Sequence, residues 1–351
     1  MIELKLFNHL DQECERNWRD FEKNSIFNFF QSIDYIKKLL DVNNTNIKII
    51  FVYFDDELIA IYPFEIRNLF GVKILQWIGN NNSDYCNPLI SNNYIKTINE
   101  QKFNIIWDQI LKKIKDFDLI FLNNQPSEIL GNDNPFVKFL KNVKQTKIYK
   151  IELLENYEKY LKSVKDKDKK YAYELHRVNI KYEKLKQMHQ IDINIDQINN
   201  NINDLDLIFI NKSRQLEFKK KKYHLDINFF NLFKELIKKD KENFCLAKFS
   251  IDKKLVSACL LINFKNDVYY YMPVLMSDEY NKFKPGKILL SNIIQWAITK
   301  KKKFLDLGLG EEHYKKHFSN NNSFVQKYLS YFSFKGKIIF FILKFIIFLG
   351  Y

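Results

Sequence analysis

The chain has 351 residues, 46% hydrophobic and 16% aromatic, with 56 Lys and Arg against 42 Asp and Glu, a formal net charge of +14. The apolar share, with 32 Phe, excludes a disordered chain, and eight Gly and six Pro exclude collagen-like and low-complexity classes. Cys14, Cys86, Cys245 and Cys259 lie far apart without a CxxC, which speaks against a disulfide scaffold or zinc ribbon and fits a reducing compartment. The length suggests two domains. The positive balance favours anionic partners. Much of it follows from a bias toward Lys, Asn, Ile and Phe, so nucleic acid is not the expected main ligand.

The start, MIELKLFNHL, alternates like a strand and turns acidic where a secretory leader would be apolar, so no leader is expected. Asp11–Phe21 has a helical pattern. FFQSIDYIKKLLD (29–41) reads as a second helix with Ser32 as its N-cap. IKIIFVYF (47–54) and LIAIYPFEIRN (58–68) flank Asp55-Asp56-Glu57 as a hairpin, and VKILQWIG (72–79) is the next strand. IIWDQILKKIKDF (105–117) has helical spacing, and LIFLNN (119–124) reads as a buried strand. Residues 155–187 read as one or two basic helices, and 196–206 as an Asn-rich loop. The earlier order then recurs. FCLAKFSI (244–251) and LVSACLLINF (255–264) flank Asp252-Lys253-Lys254, followed by the strand DVYYYMPVL (267–275), the helix ILLSNIIQWAITKKK (288–302) and the strand KFLDLGLG (303–310). Hairpin, strand, helix, strand occurs twice, about 200 residues apart, which predicts two copies of one mixed α/β unit.

Several short motifs sit in this frame. Pro285-Gly286 precedes a helix, a strand ends in Asp306-Leu307-Gly308, and Tyr314-Lys315 with Phe318 follows. In the first half stand Gln31-Ser32, Pro63-Phe64, Trp77-x-Gly79 and Asp84-Tyr85 with Asn87-Pro88-Leu89. In that order the motifs resemble the double-domain GNAT-type acyltransferases, most of all the cellulose-biosynthesis CelD-like branch, related to the FemAB-type aminoacyl transferases. The resemblance covers most of residues 25–330. It implies two tandem GNAT-like domains, 1–145 and a catalytic 146–335, with 336–351 as an apolar tail. It also implies direct transfer of an acyl group, acetyl first, from acyl-CoA to an amine. The acceptor it implies is an amino sugar or another cell-envelope or polysaccharide precursor. FemAB-type relatives imply the alternative donor, aminoacyl-tRNA, and a non-catalytic module for anionic glycan or lipid is a third reading.

Direct transfer needs a seat for the donor's phosphates, a proton acceptor for the amine and a group facing the developing oxyanion. For the first, Pro285, Gly286 and Lys287 at a helix start, with Lys282 and Lys284, form a candidate anion site, or else an ordinary loop before a helix. The longer Gly-rich phosphate loop of most GNAT enzymes is absent from the sequence. Asp306 is a candidate proton acceptor or a capping carboxylate. Tyr314 is a candidate donor to the leaving group or a packing ring. The resemblance places Lys315 at the reacting carbonyl; the residue alone reads equally as solvated. Asp84, Tyr85, Gln31 and Trp77 are candidate acceptor-binding residues, the first otherwise a turn residue and the last two otherwise capping and packing residues. Arg177, with His176, Lys181 and Arg214 nearby, is a candidate anion clamp or part of a solvated basic face. His313 and His317 are spaced for a metal, but no third ligand accompanies them and no metal is expected. Cys86 has no His near it in sequence.

The tail GKIIFFILKFIIFLGY would span about 24 Å as a helix, short of the roughly 30 Å hydrocarbon core. Lys337 and Lys344 share one of its faces. It is expected to lie at a membrane interface, with docking on the protein or on another copy as the alternative. The expected location is therefore the cytoplasm, at the inner face of the membrane.

Overall fold

The computed structural model describes the whole chain except residues 43–44, 81, 199–202, 219–226 and 349–351. The lysine run at 219–222 therefore lies outside the described residues. The chain divides into two compact units, 1–146 with 323–351, and 147–322.

Unit 1 opens with β1 (Ile2–Phe7), α1 (Gln12–Glu22), the short β2 (Ser25–Ile26) and α2 (Ile33–Val42). Ser32 caps α2, its Oγ accepting from the Tyr35 amide at 3.4 Å, as its sequence position implied. A meander follows: β3 (Asn46–Phe54), β4 (Glu57–Leu69), β5 (Val72–Trp77) and the short β6 (Leu89–Ser91). Next come α3 (Tyr94–Thr97), α4 (Glu100–Ile114), β7 (Leu119–Pro126), the two-residue β8 (Glu128–Ile129) and β9 (Asn132–Asp133), and α5 (Pro135–Phe139). β10 (Lys144–Glu152) carries the chain into unit 2.

There α6 (Tyr157–Lys167) and α7 (Lys169–Met188) are separate helices. They break at Asp168, whose extended backbone ends one and whose carboxylate caps the other at 2.8 Å. β11 (Ile191–Gln197), α8 (Asn203–Phe218), α9 (Ile227–Lys239), β12 (Phe244–Ile251), β13 (Lys254–Phe264), β14 (Asp267–Leu275), α10 (Pro285–Thr299), β15 (Phe304–Asp306) and α11 (His313–Phe318) follow. The chain then returns to unit 1 with β16 (Asn321–Tyr331) and α12 (Phe334–Phe348).

The duplication is visible in the strand pairing. In unit 1 the sheet order is β1-β3-β4-β5-β7-β16; in unit 2 it is β11-β12-β13-β14-β15-β10. In both, the central hairpin is antiparallel and the fourth and fifth strands pair in parallel over two or three residues. Both hairpins turn on two residues in the left-handed region: Asp55 (φ 47°) and Asp56 (φ 65°) in one, Asp252 (φ 50°) and Lys253 (φ 65°) in the other. Such turns match the twist of the flanking strands. The last strands are exchanged. β10, which follows the helices of unit 1, completes unit 2 antiparallel to β15, and β16, which follows those of unit 2, completes unit 1 antiparallel to β7. Residues 323–335 therefore do not belong to the second unit, and the C-terminal helix is no separate tail. It packs Ile339, Phe340, Leu343 and Ile347 on Val72, Ile74 and Leu119. Gly336 permits this approach, since a Cβ there would sit 1.9 Å from the Asp118 carbonyl oxygen.

Unit 1 holds its two layers together with aromatic rings. Trp77 is fully buried, stacked on Phe64 with ring centroids 4.4 Å apart and edge-on to Phe136 at 5.1 Å. Its expected role at a substrate is thereby corrected: its indole fills the core between sheet and helix. Trp77→Ala should destabilise the protein by about 3–5 kcal/mol in a chemical denaturation curve. A loss below about 1 kcal/mol would contradict this packing.

Candidate functional site

In unit 2, β14 and β15 pair in parallel only from Asp267↔Phe304 to Tyr269↔Asp306. β14 runs six residues further, while the other chain turns away through Leu307-Gly308-Leu309-Gly310. Gly308 (φ 69°) and Gly310 (φ 106°) take left-handed conformations that suit glycine. Two oppositely charged, buried side chains hold this turn. Asp306 Oδ1 accepts from the Gly308 amide at 2.8 Å. Lys315 Nζ donates to the carbonyls of Leu309 (2.6 Å) and Gly308 (3.4 Å) and pairs with Glu312 at 3.0 Å. Lys315 is thus neither solvated nor pointed at open space; it is a positioning residue for the turn.

Asp306 also faces Lys150 across the sheet, 3.5 Å from its Oδ2. Beside them, burial pushes the Asp267 carboxyl up to about 6, with Lys150 opposing and Asp306 reinforcing the shift. Asp306 bonds the turn at Gly308 and is not the N-cap of the helix that follows, where Glu312 stands; its partner Lys150 was out of reach of sequence reasoning, 156 positions away on another strand.

α10 begins where β14 ends. Lys284 (φ 61°) precedes it, Pro285 occupies its first turn, and Gly286 packs so closely that a Cβ would lie 3.3 Å from the Leu275 side chain. The amides of Lys287 and Ile288 already donate to the Lys284 carbonyl, so attraction for an anion here rests on side chains more than on amides. Four cations gather round one carboxylate. Glu174 accepts from Arg177 at 2.9 Å and lies 4.0 Å from Lys287. Burial chiefly lowers the pKa of Lys287, Glu174 opposes it, and Lys284, Lys181 and Arg177 lower it further. Lys181 is lowered in the same way and donates to the Lys282 carbonyl at 2.7 Å. Arg177 and the residues at the start of α10 therefore form one basic cluster.

α11 connects this cluster to the turn. Tyr314 is largely buried and packs on the core, its phenol pushed up by burial and by Glu312, so it keeps its proton. His317 is 7% exposed, its ring 5.2 Å from Tyr171 and 4.5 Å from His313. Its Nδ1 has no hydrogen-bond partner, and burial, Lys287 and His313 lower its pKa. The HYKKH spacing already placed it on one face with His313; its burial was not readable. Tyr171 also lines a cavity of about 290 Å³ with Lys147, Lys167, Lys316, Glu311 and Asn322. No cluster of potential metal ligands occurs among the described residues.

The remaining candidates lie in unit 1. Gln31 and Tyr85 are buried and meet, the Gln31 amide donating to the Tyr85 carbonyl at 2.8 Å, while Asp84 is half-buried on the same loop. That loop is held by Asn124, which donates to the Ser83 carbonyl at 3.0 Å, and it adjoins a buried chain from Asn80 through Gln76 (3.4 Å) to Glu65 (2.6 Å). Sequence reading missed these amides because nothing in their spacing marks them. Cys86 is buried and its thiol is pushed up by burial, which removes nucleophilic character.

Comparison with known proteins now adds to this geometry. Residues 175–316 match the family model described as the acetyltransferase (GNAT) domain. Among solved structures the chain is similar to FemX, at 10% identity and a TM-score of 0.61, covering 91% of this chain and 96% of that one. It is similar also to L-PGS from Bacillus licheniformis (9% identity, TM-score 0.51, 94% and 95% covered). A conserved protein of unknown function from Bacteroides thetaiotaomicron shares the fold as well (11% identity, TM-score 0.51, 95% and 100% covered). Among curated protein sequences none matches.

A prediction follows from the Asp267 carboxyl, whose pKa rises from 3.8 to about 6 on folding. Its contribution favours the fold at acid pH and is lost as the pH climbs between those values. Asp267→Asn should therefore raise the melting temperature at pH 7, with the gain shrinking toward pH 4; a gain independent of pH would contradict the assignment. Residues 175–316 are a GNAT acetyltransferase domain, and the chain as a whole shares the fold of FemX.

Proposed function

We propose that the chain transfers an acyl group from a phosphate-bearing donor to a primary amine, with the chemistry in unit 2. The observation that carries this is the cluster of Arg177, Lys181, Lys284 and Lys287 around Glu174 inside a GNAT domain. Partial burial chiefly lowers the half-buried Lys181 and Lys287, and an anion bound there would offset both that cost and the repulsion among the four cations.

The donor implied by the sequence is acyl-CoA, acetyl-CoA first, its phosphates on Lys284 and Lys287 beside Pro285-Gly286. One observation favours a second donor, aminoacyl-tRNA. A pantetheine arm carries amides suited to adding onto an exposed strand edge. Beyond Tyr269, Pro273 offers no N–H, and the carbonyls of Pro273 and Leu275 already accept from Lys212 (3.1 Å) and Gln215 (3.2 Å) of α8. A cluster of four cations serves a nucleic acid's phosphates as well as those of CoA.

In the reaction the amine nitrogen forms the new bond to the acyl carbon, and the bond to sulfur (CoA) or to ribose oxygen (tRNA) breaks. His317, with its lowered pKa and unbonded Nδ1, takes the amine's proton; Tyr314, which keeps its own proton, donates to the leaving group. The acceptor is an amino sugar or another envelope or polysaccharide precursor, a class that rests on the family resemblance together with Asp84, Tyr85 and Gln31. The location that goes with this reading is the cytoplasm, at the inner face of the membrane, as expected from the apolar C-terminal segment.

Thermal shift with CoA, acetyl-CoA and charged tRNA tests the donor. One of the three should raise the melting temperature, and Lys284→Glu with Lys287→Glu should abolish the rise. No shift with any of them would overturn the proposal in favour of a non-catalytic module. In the matching transfer assay, the rate should climb with pH through a pKa below the ordinary His value of about 6.5. His317→Asn should lower the rate and remove that limb; an unchanged profile would remove His317 from the mechanism.

A further inference from the structure

α12 has two apolar faces, and unit 1 covers only one of them. The inner stripe rests on β5 and β7, as described above. The outer stripe of Phe334, Ile338, Phe341, Ile342 and Phe345 stands 49–78% exposed. At about 100° per residue these five side chains share one side of the helix. Phe70 is also fully exposed, at the β4–β5 turn two residues before Val72, on which the helix packs. Solvent-facing aromatic and branched side chains in one contiguous patch mark a docking surface.

The charges around the stripe say what docks there. Residues 334–351 contain no Asp or Glu, and their three lysines border the apolar stripe: Lys337 and Lys344 on one flank, Lys335 on the other. Lys344 lies back along the helix with its ammonium 5.7 Å from the Phe340 ring, and Lys337 does the same toward Tyr331 at 6.0 Å. Asp118, a carboxylate at the helix start, is engaged by the Lys73 amide and the Ser333 hydroxyl. A second copy of the helix would bring these lysines against lysines. An anionic lipid leaflet instead accepts the rings among its acyl chains and the lysines among its headgroups. Insertion is shallow, since no described helix is long and apolar enough to cross a membrane.

We propose that α12 lies flat on an anionic membrane surface with its outer stripe inserted, attaching the protein through unit 1. This goes beyond the acyltransferase reading and does not depend on it.

The test is flotation of the nuclease-treated, full-length protein with phosphatidylcholine vesicles, with and without phosphatidylglycerol, and sizing without lipid. Binding should require phosphatidylglycerol and weaken with salt. Phe341→Glu with Phe345→Glu should weaken it about tenfold or more while the melting temperature changes little, since both rings are more than half exposed and Phe341 meets the protein only edge-on at Phe340. Failure to float with either vesicle would overturn the proposal. So would a dimer without lipid that the same double variant converts to a monomer, which would assign the stripe to a second copy.

Discussion

Unit 2 depends on a parallel pairing that stops after three residues. β14 and β15 begin side by side and then part. Backbone groups that leave a sheet need new partners, because an unpaired buried amide or carbonyl costs about as much as a lost hydrogen bond. The turn after Asp306 finds them in two side chains, the Asp306 carboxylate for the Gly308 amide and the Lys315 ammonium for the carbonyls of Gly308 and Leu309. Glu312 balances the lysine. With the turn fixed, α11 is fixed, and with α11 the positions of Tyr314 and His317. A buried lysine that tolerates no solvent is costly unless fully bonded, so its presence here is best understood as specifying one shape for this turn.

The same wiring in unit 1 has gone another way. β5 and β7 also pair in parallel only briefly. The space beside them is filled by rings around Trp77 and by side-chain amides, from Asn80 through Gln76 to the Glu65 carboxyl and from Gln31 to the Tyr85 carbonyl. One copy carries a charged turn and a basic helix start, and the other an aromatic core with a polar loop. The GNAT family match falls within unit 2, the copy with the charged turn. Exchange of the last strands makes each unit's sheet incomplete without a strand supplied from beyond the other unit's helices.

Much of this was legible in the sequence, for identifiable reasons. The central strands are continuous apolar runs, both hairpin turns are short charged breaks, and the repeated order exposes the duplication. β11 was not read, because its alternation, IDINIDQ, sets Asp and Asn between the isoleucines; only its last two residues fall in the stretch 196–206 read as an Asn-rich loop, whose end from Asn203 instead opens α8. β10 and β16 were not read as strands at all, and nothing local says that each completes the other copy. At the site, Pro285-Gly286, Asp306 and Lys315 were found by motif, but their partners were not. Lys150 and Glu174 stand far away in the chain and meet them only through the sheet and through α7. By itself Lys315 read equally as solvated; instead three polar groups within seven residues, the Gly308 and Leu309 carbonyls and the Glu312 carboxylate, engage its ammonium.

The central claim, that Asp306 and Lys315 together fix the turn where the strands part, is tested most directly by amide hydrogen exchange at Gly308 and its neighbours. The wild-type Gly308 amide should exchange slowly. In Asp306→Asn and Lys315→Met that protection should fall at Gly308–Gly310 and α11 while the central strands of unit 2 stay protected. Protection unchanged in both variants, or lost evenly across the unit, would contradict the account.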